Sequence, residues 1–487
     1  MTILFMKKKY QLERFFVTWL MILFMILTDA FTAFAQVKQA TVLVNGISCD
    51  LEQGILKVEF VTPDVVRVQY TGENTFMGNG TDVCLSRTVD NPVRWVYTPN
   101  PDCYLLKSDS LIVRVDLSTA SITYLDKEGR LLLQEDQNIP RISEKRVTKQ
   151  VIYDEHSKHI EKTADGDKEI KNVLRYDIIG HTWKYRINFK WQPLEALYGW
   201  GAHMEDYMNL RGKELYLCQH NLKAMVPVLN STAGYGLLFD AGCAMMFKDN
   251  SEGSFVELEA AKQIDYYFMK GKTMDAVVAN YRLLTGNSPM MPLYLFGYIQ
   301  SKERYVSSDD LINTLKEYRQ RQIPIDMIVQ DWNYWPEGQW GNMSMNPKFY
   351  PDKRKLADEI HSLHAKLMIS IWPNAMNCPQ HEEFKRKGWL LSGTSVYDAF
   401  NPLARKLYWN YANNEFFGNG FDAWWCDASE PLDADWTFMK DGYGADNHRQ
   451  RWELNTNLLN SVLGAERSQL YSLYHAKGIY ENQRSTN

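Results

Sequence analysis

Residues 421–431 read FDAWWCDASEP, and this stretch decides the fold of the second half of the chain. Its apolar and aromatic first part, which follows Gly420 and stops before Pro431, is typical of a buried strand in a parallel sheet. Asp427 and Glu430 come where that strand ends, and barrels of parallel strands carry their chemistry at such ends. An ordinary acidic loop after a core strand is the simpler alternative. The two adjacent tryptophans favour chemistry, because flat aromatic faces beside a carboxylate suit a sugar ring.

The pattern of a strand followed by a helix repeats through residues 286–487. We predict helices that begin at Ser307 or Ser308, that carry Leu356 and Leu363 on one face, and that run from Pro402 to Gly418 after an Asn401 cap. Two further helices are predicted within 452–463 and 470–477. The predicted strands are Leu293–Gln300, Ile325–Gln330, Leu367–Trp372 and Phe421–Cys426. Successive units of this kind predict the first half of a (β/α)₈ TIM barrel, with about four βα units.

Residues 36–285 show a different pattern, in which apolar and polar residues alternate. Short runs such as 56–60, 66–70 and 113–117 have a period of two and are separated by turn signals. This pattern predicts a β-sandwich. Residues 134–172 are charged and weakly patterned, which predicts solvated loops or edge strands. The expected fold is therefore multidomain β plus α/β, with an N-terminal β-sandwich followed by an incomplete barrel.

The first 35 residues have the features of a signal peptide. Lys7–Lys9 and Arg14 precede an apolar run, and Ala33-Phe34-Ala35 supplies small residues for cleavage after Ala35. An uncleaved anchor is the alternative. We expect a secreted or periplasmic protein with no stable membrane insertion after cleavage.

The composition excludes some classes of partner. A net charge of −5 over 487 residues leaves no basic stripe, so nucleic acid is not an expected partner. The seven cysteines are scattered and form no C-x-x-C pair, so they predict neither a metal site nor a disulfide framework. No cofactor is expected, and the sequence leaves the oligomeric state open.

Polar and aromatic residues follow every predicted strand of the barrel. Asp331 and Asp427 both lie at such an end and next to tryptophan. Hydrolysis of a glycoside needs one carboxylate at the developing cation and a second group to protonate the leaving oxygen. A buried aspartate can also accept hydrogen bonds from sugar hydroxyls. The residues at the four strand ends are Gln300, Ser301 and Lys302; Asp331 and Trp332; Trp372, Pro373 and Asn374; and Asp427.

Three of these segments together resemble glycoside hydrolase family 31. They are residues 330–341 (QDWNYWPEGQWG), 371–373 (IWP) and 424–431 (WWCDASEP), and the likeness extends back to Tyr198-Gly199-Trp200-Gly201. The resemblance implies a retaining α-glycoside hydrolase that acts on an oligosaccharide. The N-terminal domain of the family has loops that reach over the sugar site, which implies that the segment from Tyr198 lies near the pocket.

The resemblance also implies roles for individual residues. Asp427 matches the nucleophile, and Glu430 belongs to its loop. Asp331, with Trp332 beside it, matches the residue that holds sugar hydroxyls next to the cleaved bond. Trp372 and Trp425 match walls of that subsite. The Asp-Trp and Trp-Pro pairs most resemble α-xylosidases that trim xyloglucan fragments, with an α-glucosidase as the alternative.

One departure from the family pattern concerns the acid/base aspartate. In the family it lies on a later strand, and this sequence stops at Asn487 before any such strand. The resemblance therefore implies a fragment that is inactive as given. A non-catalytic carbohydrate-binding remnant and a secreted structural β-sandwich with a vestigial barrel are the two other hypotheses.

Overall fold

The computed structural model describes residues 36–77, 82–85, 92–163, 166–432 and 448–486. The predicted signal peptide lies outside the described residues. Within the described ranges, no helix is both long and apolar enough to cross a membrane.

The first part of the chain is almost entirely β-structure. Its strands are β1 (Val37–Val42), β2 (Gly46–Leu51), β3 (Ile55–Thr62), β4 (Val65–Thr71), β5 (Trp95–Pro99), β6 (Cys103–Ser108), β7 (Leu111–Asp116), β8 (Ile122–Asp126), β9 (Leu131–Glu135), β10 (Arg141–Tyr153), β11 (His159–Thr163), β12 (Gly166–Ile170), β13 (Val173–Lys190), β14 (Leu197–Ala202), β15 (Glu214–Leu217), β16 (Ala224–Ser231), β17 (Tyr235–Phe239), β18 (Met245–Asn250), β19 (Gly253–Ala261) and β20 (Ile264–Lys270).

Two antiparallel sheets form from these strands. One has the order β1-β2-β3-β4-β20-β17-β16-β14, and the other has the order β15-β18-β19-β13-β9-β8-β7-β6-β5, with β10 also paired to β13. The sheets pack face to face, and the ring of Tyr124 on β8 stacks 4.0 Å from that of Phe268 on β20. Burial alternates residue by residue along β7, as a strand with one face in the core requires. The predicted strands at 56–60, 66–70 and 113–117 are confirmed.

The structure decides one alternative that the sequence left open in this region, and it adds one helix. Within residues 134–172, the edge-strand alternative is confirmed, because β10 pairs with β13 along its whole length. Helix α1 (Met274–Thr285) was not predicted. It begins at a Thr273 cap, whose side chain accepts a hydrogen bond from the Ala276 N–H.

The second part of the chain alternates between strands and helices. Its elements are β21 (Ile299–Gln300), α2 (Ser308–Gln320), β22 (Met327–Gln330), α3 (Lys353–Ser362), β23 (Lys366–Ile371), α4 (Pro379–Lys387), α5 (Pro402–Glu415), β24 (Ala423–Cys426), α6 (His448–Leu463) and α7 (Tyr471–Arg484). Strands β21 to β24 pair in chain order, and every pair is parallel. Within the described ranges this sheet has four strands, with β21 and β24 at its edges.

The predicted helix starts are confirmed where a cap specifies them. Ser307 accepts a hydrogen bond from the Asp310 N–H at the start of α2, and Asn401 caps α5 with Pro402 in its first turn. The predicted strand Leu293–Gln300 is wrong over most of its length. Residues Leu293–Phe296 form a 3₁₀ turn instead, because a short apolar run does not distinguish the two structures.

One helix boundary differs from the prediction, and one helix was not predicted. Helix α5 ends at Glu415 rather than Gly418, and a 3₁₀ turn then leads to Gly420, whose φ is 92°. Helix α4 was not predicted, because it is polar on most faces and lacks the apolar periodicity of an amphipathic helix.

The loops after β14 and β15 connect the sandwich to helix α6. The buried Lys223 ammonium forms an ion pair of 2.6 Å with Glu205 and lies 5.1 Å from the ring centre of Trp452 on α6. The Gln219 N–H also donates to the Gln469 side chain over 2.6 Å. These contacts hold the loops that follow Tyr198 against the second part of the chain. Their nearness to a sugar pocket stays a prediction.

Candidate active site

Asp331 and Asp427 lie on opposite sides of strand β23, at the carboxyl edge of the parallel sheet. Gln330 is in register with Ile369, and Cys426 is in register with Ile371. The two aspartates are the next residues of β22 and β24, so one strand separates them. With neighbouring strands 4.7–4.9 Å apart, their backbones are about 10 Å apart across the sheet, and they are offset by about two residues along β23. The two predicted carboxylates therefore face one region above β23.

The backbone holds both aspartates in similar turns. The Asp427 N–H donates to the Ile371 carbonyl over 3.0 Å, and its carboxylate accepts from the Ala428 N–H over 2.8 Å. The Asp331 carboxylate accepts from the Trp332 N–H, also over 2.8 Å. Each turn contains a residue other than glycine with positive φ, which is 48° at Ala428 and 59° at Asn333. Such strained residues concentrate at functional sites.

The electrostatic environment differs from that of an ordinary surface aspartate. Burial raises the pKa of the Asp331 carboxyl, and the negative charges of Asp427 and Glu303 raise it further. The hydrogen bond from the Trp332 N–H acts in the opposite direction. Asp331 and Asp427 are thus close enough for the charge of Asp427 to affect the ionisation of Asp331. A ligand that donates hydroxyl hydrogens there would stabilise the charged form of Asp331.

The predicted aromatic residues have very different exposures. Trp425, two residues before Asp427, is 44% exposed and is in register with Ser370 on β23. Trp332 is half-buried, and its ring centre lies 5.6 Å from that of Trp340. Trp372 is only 5% exposed, because Trp335 packs edge-to-face against it at 5.3 Å. Trp425 therefore offers an open ring to a ligand, whereas Trp372 offers little more than an edge.

The remaining predicted residues lie at the end of β21 or in the loops near this edge of the sheet, and Gln300 and Lys302 contact neighbouring loop and helix residues. Glu430 is half-buried in the loop that follows Asp427. The Gln300 side-chain oxygen accepts hydrogen bonds of 2.6 Å from both Tyr298 and Tyr318, so it belongs to an internal network. The Lys302 ammonium is exposed and lies 3.5 Å from Asp310 at the start of α2.

The sequence analysis missed a third carboxylate, Glu303. It lies three residues beyond β21, and its charge raises the pKa of Asp331. Its place in the loop that follows β21, next to the predicted Lys302, was the available signal in the sequence.

Two family models match the chain. The model of the family 31 TIM-barrel domain of glycosyl hydrolases matches residues 288–487, and that of the glycosyl hydrolase 31 N-terminal galactose mutarotase-like domain matches residues 55–247. Both domains of one family thus occur in the expected order. The chain belongs to glycoside hydrolase family 31.

Individual relatives agree with this assignment. An α-xylosidase of Saccharolobus solfataricus is 28% identical over 440 residues, which cover 88% of this chain and 54% of that one. A family 31 α-xylosidase from a soil metagenome, solved with xylose, has a TM-score of 0.71 at 22% identity and covers 92% of this chain and 64% of that one. A Flavobacterium johnsoniae family 31 dextranase, solved with isomaltotriose, has a TM-score of 0.73 at 18% identity, covering 93% and 53%.

Because the solved structures are only 18–22% identical to the chain, their likeness shows the fold alone. The chain spans about half the length of the curated relatives it matches.

Proposed function

We propose that this protein is a retaining α-glycoside hydrolase that acts on α-xylosides, with xyloglucan-type oligosaccharides as the substrate class. The observation that carries the proposal is the placement of Asp427 and Asp331 on either side of β23, beside the open ring of Trp425. The likeness to an α-xylosidase along 88% of the chain supports the choice of sugar.

In the proposed reaction, the Asp427 carboxylate attacks the anomeric carbon from the face opposite the leaving group. The bond to the leaving group breaks; in α-xylosyl fluoride that group departs as the fluoride anion and takes the bonding electron pair, so no proton donor is needed. The sugar becomes an ester of Asp427, and water then hydrolyses this ester. Asp331 accepts hydrogen bonds from the sugar hydroxyls, which hold the anomeric carbon over Asp427.

The nucleophile can be tested with α-xylosyl fluoride, because fluoride leaves without a proton from a general acid. We expect the full chain to release fluoride and to form a covalent ester at Asp427 with a slow 5-fluoro analogue, identified by peptide mass spectrometry. A label on another carboxylate would disprove the assignment of Asp427. Sugar binding without fluoride release would instead indicate a carbohydrate-binding protein.

The sugar preference has its own test. We infer that Trp425 and the edge of Trp372 leave too little space for the hydroxymethyl group of glucose. We expect kcat/KM for α-xylosyl fluoride to exceed that for α-glucosyl fluoride by about tenfold or more. Trp425→Ala should reduce this ratio. A preference of the native chain for the glucoside would make the protein an α-glucosidase, the activity named for another relative of the chain.

We also propose that the protein is exported. The basic residues Lys7–Lys9, the apolar run after them and Ala33-Phe34-Ala35 support this proposal. Sequencing of the mature N-terminus should find Gln36 as the first residue. An intact residue 1 in the mature protein would contradict cleavage.

A further inference from the structure

Strand β23 continues beyond the end of its neighbour β22, so some of its backbone carbonyls lose their partner strand. On the β24 side, the carbonyls of Leu367 and Ile371 accept from the N–H groups of Asp422 (2.9 Å) and Asp427 (3.0 Å). Successive carbonyls of a strand point to alternate sides. The carbonyl of Ser370 therefore points to the β22 side, where β22 has already ended at Gln330. Trp372 is the first residue after β23, so its carbonyl also lies beyond the paired part of the sheet.

Two tyrosine hydroxyls donate hydrogen bonds to these two carbonyls at the end of β23. Tyr334 donates to the Ser370 carbonyl over 2.9 Å, and Tyr408 donates to the Trp372 carbonyl over 2.8 Å. Tyr334 belongs to the loop that follows Asp331, whereas Tyr408 lies on helix α5. The end of β23 is thus held from two independent elements.

Packing leaves neither hydroxyl free to move. Both tyrosines are 1% exposed. The Tyr334 ring packs edge-to-face against Phe416 at 5.6 Å, and the Tyr408 ring stacks on Tyr397 at 4.6 Å. Burial raises the pKa of both phenols well above the usual value, so they remain protonated donors at any working pH.

We propose that Tyr334 and Tyr408 are positioning residues whose hydroxyls fix the end of β23, and with it the separation of Asp331 and Asp427. Asp427 depends on this end directly, since its N–H is bonded to the carbonyl of Ile371, between the two clamped residues. Asp331 depends on it through the loop that carries Tyr334. The consequence for sugar binding rests on the proposed function, but the separation of the carboxylates does not.

The chain offers a matched control in Tyr185 on β13 of the sandwich. Its hydroxyl donates to the Lys262 carbonyl over 3.2 Å, and its side chain is fully buried. Tyr185→Phe therefore removes the same kind of hydrogen bond, but in the sandwich rather than at the end of β23. Each replacement by phenylalanine keeps the ring and leaves one carbonyl without its donor.

The test measures how strongly the two carboxylates interact in the full chain labelled with ¹³C-carboxyl aspartate. The readout is the change in the pKa of Asp331 caused by Asp427→Asn, with Asp331→Asn used to assign the signal. We expect Tyr334→Phe and Tyr408→Phe to change this coupling clearly, and Tyr185→Phe to leave it as in the native chain. The affinity for xylose should fall by about tenfold in the first two variants only.

The outcomes separate this inference from the proposed function. If all three variants lose thermal stability alike while the Asp331–Asp427 coupling stays at its native value, both tyrosines are merely structural and the inference is overturned. If the coupling changes in Tyr334→Phe and Tyr408→Phe while even the native chain fails to bind xylose, the positioning role stands and the proposed function fails.

Discussion

The two ends of the four-stranded sheet hold their aspartates in opposite ways. At the amino end, Asp422 accepts hydrogen bonds from the Lys366 ammonium and the Leu367 N–H, both over 2.9 Å, and lies 2.8 Å from the His361 ring. At the carboxyl end, burial and the charge of Asp427 raise the pKa of Asp331. One end surrounds its carboxylate with donors, and the other places two carboxylates near each other.

This difference indicates a division between stability and chemistry. Parallel barrels place stabilising contacts at the amino end of the strands and reacting groups at the carboxyl end. A carboxylate that already has several donors gains little from a ligand. A carboxylate such as Asp331, whose pKa is raised by burial and by a second carboxylate, gains more from a ligand that brings hydroxyl hydrogens.

The largest expected effect is on turnover at the carboxyl end. Asp427→Asn should lower kcat for α-xylosyl fluoride by at least about 10³-fold, or about 4 kcal/mol, because the amide is nearly isosteric but not nucleophilic. Circular dichroism should show an unchanged fold. An equal loss of turnover in Asp422→Asn would remove the distinction between the two ends.

A buried histidine on helix α7, outside the sheet itself, should make the free energy of unfolding depend on pH. Burial lowers the pKa of His475 on α7 from 6.5 to about 4, so between these values the unfolded chain binds a proton that the folded chain does not. The contribution of neutral His475 to the free energy of unfolding is fully present above the unfolded pKa. It is lost as the pH falls toward 4, and the total loss is about 3 kcal/mol. Urea unfolding followed by tryptophan fluorescence should show this slope flattened in His475→Gln. An unchanged slope would contradict the assignment to His475.

A smaller effect is expected on stability at the amino end. Asp422→Asn should lower the free energy of unfolding by about 2 kcal/mol, since Lys366 and the Leu367 N–H lose a charged acceptor. Turnover of α-xylosyl fluoride should stay within a few-fold of the native rate. Thermal and urea unfolding measure the first quantity. A variant as stable as the native chain would show that the donors around Asp422 contribute little.

The smallest effect is expected at Asp331, and its sign is opposite. Because the folded pKa is raised, ionisation of Asp331 opposes folding, and its favourable contribution is lost as the pH rises through the carboxyl range. Asp331→Asn should therefore be at least as stable as the native chain at pH 7, with the difference vanishing at low pH. A loss of stability as large as that of Asp422→Asn would contradict the comparison.

Local sequence patterns were sufficient to predict much of the candidate site. Asp331 and Asp427 were predicted because each directly follows an apolar run, and strand ends can be recognised from such runs alone. Glu303 and the hydroxyls of Tyr334 and Tyr408 were not predicted. Their roles depend on neighbours far along the chain, such as Trp372 for Tyr408, and no local period reports such contacts.

The sequence by itself determined the alternation of apolar residues in the sandwich, the strand-then-helix order after residue 286, and which carboxylates end the strands. These follow from the period of two in a strand and the period of about 3.6 in a helix, both of which are properties of neighbouring residues. Only the tertiary structure decided that Asp422 is surrounded by donors while Asp331 is opposed by Asp427. Strand register and burial set those environments, and both depend on segments that are distant in the sequence.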